Sequence, residues 1–249
     1  PTDAPTISAV TTQAGTPPGT GRRQGASILN RHSPPARSDA PAPKALLSDL
    51  AVPTAPRETA AKRLGHGANR VPATSSLLGL ALTTTDAVFT AAWLAARPDN
   101  APFGYVVTPN ADHVARLARE PALRPLYHAA LLRLLDSQAI ALLAWFLSLP
   151  TPPVITGSDL TARLLTRHLR PGERITIIGL DPAWLPELRR RCGLAPPAHH
   201  YPPMGFERAP IALAAAVRFV IDHPARFTFL AVGSPRQEIL AAAIAETGQ

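Results

Sequence analysis

Cysteine is almost absent from this chain of 249 residues, in which Cys192 is the only one. A single thiol excludes an internal disulfide framework and is typical of proteins from a reducing compartment. Cys192 follows three arginines, residues 189–191, near the end of a predicted helix. We interpret it as a core or surface thiol rather than as a catalytic nucleophile.

Long apolar runs are also missing. The most apolar one, Ala139–Leu149, follows Asp136 and is shorter than the roughly 20 residues that a helix needs to span a bilayer. The sequence therefore predicts no transmembrane helix.

Patterns of metal ligands are scarce as well. His199 and His200 are adjacent, so on a strand their side chains point to opposite faces, and no pattern of carboxylates accompanies them. We therefore predict no metal site.

Proline, in contrast, is abundant, and many of the 29 prolines lie in residues 1–72 among Ala, Thr, Ser and Arg. This segment has little hydrophobic periodicity and cannot bury enough apolar surface to order itself. We therefore predict that residues 1–72 form a disordered, low-complexity, basic tail.

The tail also carries much of the positive charge. It holds 9 of the 25 basic residues and 4 of the 17 acidic ones, which is +5 of the formal net charge of +8. These charges are dispersed and lack interleaved aromatics, so we interpret the tail as solvated. Two alternatives remain: the tail contacts an anionic membrane surface, or the chain is a basic nucleic-acid-binding protein.

Residues 73–249 alternate between strand-like and helix-like segments. Strands are predicted at residues 104–108, 174–178, 199–201 and 227–232. The run Leu131–Leu135 is compatible with a strand or a helix. Repeated strand, loop and helix units imply parallel strands joined by right-handed crossovers. We predict an α/β fold with a Rossmann-like parallel sheet and flanking helices, preceded by the disordered tail.

Three loops that follow predicted strands end in polar residues: Thr108-Pro-Asn110, Asp136-Ser-Gln138 and Gly233-Ser-Pro-Arg-Gln237. In a parallel sheet these loops open on one edge, where ligands bind. A carboxylate, a hydroxyl and an amide gathered there can deprotonate a hydroxyl and orient a polar substrate.

Each of these polar residues also has a structural alternative. Asp136 and Asn110 suit helix caps, and Thr108 suits the end of a strand. Gln237 suits a solvent-facing position in the first turn of a helix. We interpret Asp159 as a charge that favours a helix start rather than as a catalytic group.

Six short motifs follow one another in a characteristic order and spacing. They are Thr108-Pro-Asn-Ala-Asp-His-Val114, Asp136, Thr156-Gly-Ser-Asp-Leu160, Ile177-Ile-Gly179, Gly205-Phe206 and Gly233-Ser-Pro-Arg-Gln-Glu238. This set resembles the WecG/TagA/CpsF family, glycosyltransferase family 26, from about Leu77 to the last residue.

The resemblance implies an inverting glycosyltransferase of extracellular polysaccharide or teichoic acid biosynthesis. Members transfer a sugar, N-acetylmannosamine-like or glucose-like, from a UDP donor to a polyprenyl-diphosphate-linked saccharide acceptor. No cofactor and no metal are expected, and the reaction is expected in the cytoplasm, peripheral to the inner face of the plasma membrane. The expected partners are the UDP-sugar and the lipid-linked acceptor. A homo-oligomer is compatible with the resemblance, and specific nucleic acid is not expected.

The resemblance also assigns residues to roles. Asp136 matches the proposed catalytic base, and the pocket-lining positions match Thr108, Asn110 and Gln237. The turns at which the backbone approaches the nucleotide match Gly179, Gly233 and Ser234.

Three departures from the family pattern stand out. Ser137 replaces a usual glycine, and Val154 replaces a usual arginine, which is expected to weaken binding of a phosphate group. The family pattern also continues beyond Glu238 through another strand and a basic segment. The domain is therefore expected to be incomplete at its C-terminus and weakly active or inactive in isolation. The alternative is a non-catalytic, truncated UDP-binding remnant.

Overall fold

A six-stranded parallel sheet and a separate hairpin make up the β-structure, seen in a computed structural model that describes residues 7–10, 72–98, 101–170 and 172–248. The strands, numbered in chain order, are β1 (Ile7–Val10), β2 (Thr74–Leu77), β3 (Leu80–Thr83), β4 (Gly104–Val107), β5 (Leu132–Arg133), β6 (Thr176–Gly179), β7 (Ala198–His200) and β8 (Phe227–Ala231). The sheet has the order β5-β4-β1-β8-β6-β7, and every neighbouring pair in it is parallel.

Helices follow the strands of the sheet. They are α1 (Ala87–Ala95), α2 (Ala111–Arg119), α3 (Arg124–His128), α4 (Gln138–Phe146), α5 (Gly157–Arg163), α6 (Leu185–Cys192), α7 (Pro210–Asp222) and α8 (Arg236–Ala245). Local sequence sets their ends: Asp86 accepts a hydrogen bond from the Phe89 N–H at 2.7 Å, and Gly193 closes α6 in the left-handed conformation. Within the described ranges, no helix is long and apolar enough to cross a membrane.

The sheet is buried on both faces. Val106 of β4 lies in a hydrophobic cluster with residues of α1, α5 and α6. Its neighbours Tyr105 and Val107 lie in a second cluster with residues of α2, α7 and α8. Because side chains alternate along a strand, this pattern requires a helical layer on each face. The predicted α/β fold with a Rossmann-like parallel sheet is confirmed.

The individual strand predictions agree with the structure to within a few residues. The run Leu131–Leu135, which was compatible with a strand or a helix, holds β5, and Leu134 continues its ladder by donating to the Val107 carbonyl at 2.9 Å. Pairing with β4 decides this case, because periodicity alone cannot separate a short buried strand from a helix.

A strand from the predicted tail lies in the middle of the sheet. β1 pairs with β4 on one side and with β8 on the other, with Ile7 opposite both Gly104 and Phe227. The sequence did not indicate this strand. Residues 1–6 and 11–71 lie outside the described residues, so the tail assignment and the domain boundary at residue 72 stay predictions.

The β2–β3 hairpin covers the β5 edge of the sheet. Its two-residue turn places Leu78 at φ 54° and Gly79 at φ 75°, as tight hairpin turns require. Arg133 of β5 donates from Nε to the Ala81 carbonyl at 2.6 Å, and its N–H donates to Thr83 Oγ1 at 3.2 Å. The hairpin thus shields a strand edge that is otherwise open to pairing with other chains.

Candidate active site

The carboxyl ends of β4, β5, β6 and β8 carry the predicted site residues to one edge of the sheet. The loops at this edge are joined by main-chain hydrogen bonds. The Asp136 N–H donates to the Pro109 carbonyl at 3.0 Å, and the Leu180 N–H donates to the Ala231 carbonyl at 3.4 Å. The edge is the position at which open α/β sheets bind ligands.

Asp136 is half-buried and faces the start of α5. Its Oδ2 accepts a hydrogen bond from the Gly157 N–H at 3.1 Å. Ser137, not Asp136, caps α4, because its hydroxyl accepts from the Ile140 N–H at 3.2 Å. The alternative of Asp136 as a helix N-cap is therefore wrong, and its carboxylate is held at the edge by the backbone of another element.

Two departures from the family pattern have a local structural role. Ser137 adopts an extended conformation, φ −158°, which accommodates a side chain, so no glycine is needed there. Val154 forms a parallel bridge with Leu135 and packs against the hydrophobic core. Both side chains thus stabilise the segment that carries Asp136.

Thr108 and Asn110 lie at the start of the loop after β4. Thr108 is fully buried, with 0% exposure. Asn110 caps α2, since its side-chain oxygen accepts from the His113 N–H at 3.1 Å. The capping role of Asn110 is confirmed, and a role of either residue in binding substrate stays a prediction.

Gln237 lies in the first turn of α8 with 0% exposure, so its predicted solvent-facing alternative is wrong. Its Nε2 donates to Glu238 Oε1 at 3.2 Å. Its Oε1 is buried and has no hydrogen-bond partner in the described part of the chain. The burial excludes the solvent-facing alternative, and a role of Gln237 in binding substrate stays a prediction.

Glu238 belongs to a buried polar cluster that sequence reasoning missed. His113 Nδ1 lies 3.1 Å from the Tyr127 hydroxyl and 3.8 Å from Glu238 Oε1. Burial raises the pKa of Glu238, although hydrogen bonds with Gln237 and Ser234 and the charge of Arg116 oppose this rise. Burial, and secondarily Arg116, lowers the pKa of His113 to about 4. Both shifts favour neutral forms, as expected for groups removed from water.

Another residue of α2, Arg116, contacts the loop after β8. Arg116 Nη1 donates to Ser234 Oγ at 2.6 Å, across 118 positions of sequence. The i, i+3 spacing of His113 and Arg116 places them on the same side of α2, but nothing in the sequence indicates their partners. The contact places a cation beside Gly233 and Ser234.

The shifted pKa of His113 predicts a loss of stability in mild acid. Its folded-state pKa of about 4 lies below the unfolded value of 6.5, so this contribution to stability is complete above pH 6.5 and is lost as the pH falls toward 4. Over that range we expect the contribution of His113 to the free energy of unfolding to fall by on the order of 3 kcal/mol. The raised pKa of Glu238 partly offsets this loss, because its neutral form is favoured in acid.

Urea denaturation at pH 7.0, 6.0 and 5.0 measures this effect. His113→Gln is expected to flatten the pH dependence, whereas His128→Gln, at an exposed position of α3, is expected to leave it unchanged. An equally steep dependence in His113→Gln would show that other groups cause it.

Gly179 and Gly233 adopt positive φ angles of 83° and 75°. A Cβ atom on Gly179 would lie only 2.5 Å from the Ala231 carbonyl oxygen, so packing of β6 against β8 already requires glycine there. The approach of a nucleotide to either glycine stays a prediction.

Three further side chains carry reactive or metal-binding groups and make structural contacts: Cys192, His199 and His200. Burial raises the pKa of Cys192 to about 11, which leaves little thiolate at neutral pH. His199 Nε2 lies 2.7 Å from the Gly179 carbonyl oxygen, whereas the His200 ring stacks on Phe219. The two histidines thus face different surroundings, as predicted. Among the described residues, no group of three or more His, Cys, Asp or Glu side chains is arranged to hold a metal ion.

Comparison with known proteins shows the family to which the chain belongs. The family model of the glycosyl transferase WecG/TagA/CpsF family matches residues 75–248, which is well over half of the chain. A search of curated proteins found no match. The matched region contains all the predicted site residues and the loops at the carboxyl edge of the sheet. The chain belongs to the WecG/TagA/CpsF family of glycosyltransferases.

Proposed function

We propose that this glycosyltransferase moves an N-acetylmannosamine-like or glucose-like sugar from a UDP donor to a polyprenyl-diphosphate-linked saccharide, with inversion and without a metal. The pathway is extracellular polysaccharide or teichoic acid assembly at the inner face of the plasma membrane. Family membership supports glycosyl transfer. The observation that carries the proposal is the carboxylate of Asp136, anchored at the carboxyl edge by the Gly157 N–H.

Asp136 is proposed as the general base. Its carboxylate takes the proton of the acceptor hydroxyl while that oxygen forms a bond to the anomeric carbon. The bond between this carbon and the β-phosphate oxygen breaks on the opposite face, and UDP departs with the electron pair. The hydrogen bond from the Gly157 N–H orients the carboxylate before the acceptor arrives.

The departing UDP gains negative charge, and several positive groups lie at the same edge. The N-termini of α2 and α8 follow the carboxyl ends of β4 and β8, so the positive ends of both helix dipoles lie on this side of the sheet. Arg116, bonded to Ser234, adds a guanidinium. Arg116 thus supplies a cation to a site in which Val154 stands at the usual arginine position.

Calorimetry with UDP, combined with an assay of donor hydrolysis and transfer, tests the proposal. We expect UDP to bind and Arg116→Ala to weaken binding about tenfold, the usual contribution of one charge-assisted hydrogen bond. Arg119→Ala is the matched control, because Arg119 lies on the same helix and, among the described residues, donates to the Ala115 carbonyl of its own helix. We expect it to bind UDP like the wild type.

The outcomes separate the alternatives. Absence of UDP binding contradicts the proposal. If the chain binds UDP but neither hydrolyses the donor nor transfers its sugar to a supplied polyprenyl-diphosphate-linked saccharide, it is a non-catalytic UDP-binding remnant of the family.

A further inference from the structure

Helix α4 and the turn after it expose a large apolar surface. We define the α4 surface by six side chains with exposures of 45–77%: Leu142, Leu143, Trp145, Phe146, Leu147 and Leu149. The largest apolar patch on a typical monomer is roughly 300–600 Å² and is often functional. A patch of this kind indicates an interaction surface.

The α4 surface exists because the helix is apolar on all sides. Ala144 is buried, and Ile140 and Ala141 pack partly against the hydrophobic core. These small contacts use one side of the helix, and the remaining apolar side chains are exposed in the described part of the chain. The stretch between Asp136 and Asp159 contains no charged residue at all.

We propose that the α4 surface docks on the surface of a lipid bilayer. This inference rests on the proposed function, in which the acceptor is lipid-linked and the site must reach the membrane. The helix starts two residues after Asp136, so the segment that carries the proposed base leads directly into the docked helix. With nine residues, α4 is about 14 Å long, which suits a helix lying in the interface and not one crossing it.

The composition of the surface favours lipid over a second copy of the chain. Trp145 and Phe146 are its most exposed members, and aromatic rings partition well into the headgroup region. Protein interfaces carry about one hydrogen bond per 100–200 Å² and bury about 800 Å² on each partner. The six side chains of the α4 surface offer one polar group, the Trp145 indole N–H, which is far fewer hydrogen-bonding groups than such an interface uses.

Vesicle flotation of the whole chain tests the proposal. The vesicles are phosphatidylcholine in about 0.5 M NaCl, where basic residues contribute little because charges are screened beyond about 4 Å. We expect the wild type to float with the vesicles and Trp145→Ser/Phe146→Ser to lose at least tenfold in partition coefficient. The control, Met204→Ser/Ile211→Ser, removes two other exposed apolar side chains, 80% and 88% exposed, and is expected to bind like the wild type.

Each alternative outcome is decisive. Wild-type protein that stays off the vesicles, or equal loss in both double variants, overturns the docking assignment. Dimerisation that Trp145→Ser/Phe146→Ser abolishes, seen by analytical ultracentrifugation without vesicle binding, assigns the α4 surface to a second copy. UDP binding is measured on the same samples: vesicle binding without UDP binding preserves the docking surface and rejects the proposed function.

Discussion

Asp136→Asn is expected to lower the rate of sugar transfer by about 10²–10⁴-fold, the usual contribution of a general base. The amide keeps the size of the carboxylate and can still accept the hydrogen bond from the Gly157 N–H, 3.1 Å away in the wild type. It cannot take up the acceptor proton. The expected change is therefore in kcat, with UDP affinity nearly unchanged.

Asp159→Asn is the matched control for this experiment. It removes the same charge, from an exposed position in the first turn of α5, the helix whose start bonds Asp136. We expect its turnover to stay within about twofold, since the cost is confined to helix-dipole electrostatics. Both variants are compared by steady-state transfer in a preparation with measurable wild-type turnover. Unchanged turnover in Asp136→Asn would remove this residue from the proposed role.

Arg226→Ala is expected to destabilise the protein by about 3–5 kcal/mol, because it breaks a buried ion pair and leaves the partner carboxylate unpaired. Arg226 is 8% exposed, and its Nε and Nη2 donate to both oxygens of Glu173 at 2.6 and 2.8 Å. Further hydrogen bonds reach the carbonyls of Ala95 and His168 at 2.9 and 2.7 Å. One side chain therefore satisfies the ends of two helical segments and anchors the start of β8.

The pH dependence of this effect follows from Glu173. Burial raises its pKa, but hydrogen bonds from Arg226 and from the Arg170 N–H outweigh burial, and the net pKa lies below the usual 4.5. A lowered carboxyl pKa gives stability that is present above the unfolded pKa and lost as the pH falls through the folded one. The difference between wild type and Arg226→Ala should therefore shrink in acid.

Arg218→Ala provides the comparison, because Arg218 forms a solvent-exposed ion pair with Asp222 at 3.0 Å. Exposed pairs contribute at most about 1 kcal/mol, so its urea midpoint should lie close to that of the wild type. Equal losses in the free energy of unfolding in both arginine variants would contradict the larger contribution expected of the buried ion pair.

Particular elements show how far sequence reasoning reached. β8 and α8 were predicted because Phe227–Val232 is apolar and β-branched and a glycine–proline turn follows it. β1 was not, because four residues inside a proline-rich segment carry no periodicity, and only pairing with β4 and β8 makes them a strand. Short strands depend on their neighbours more than on their own composition.

The sequence likewise predicted only part of the candidate site. The parallel sheet and its motifs predicted that Asp136 and the loops after β4 and β8 share one edge. The buried cluster of His113, Tyr127 and Glu238 could not be predicted, since it joins residues up to 125 positions apart through the packing of α8 on β4. Gln237 is buried at the start of α8, which the sequence did not indicate, and its role in binding substrate stays a prediction.

The sequence by itself determined the α/β alternation, the family, the Asn110 helix cap and the shared edge of the sheet. These depend on residue types close together in the chain, where turn chemistry and hydrophobic period act locally. Only the tertiary structure decided that Gly157 anchors Asp136, that Arg116 holds Ser234 and that the apolar side chains of α4 are exposed in the described part of the chain. Those outcomes depend on which surfaces the packed sheet and helices bring together, and no local pattern carries that information.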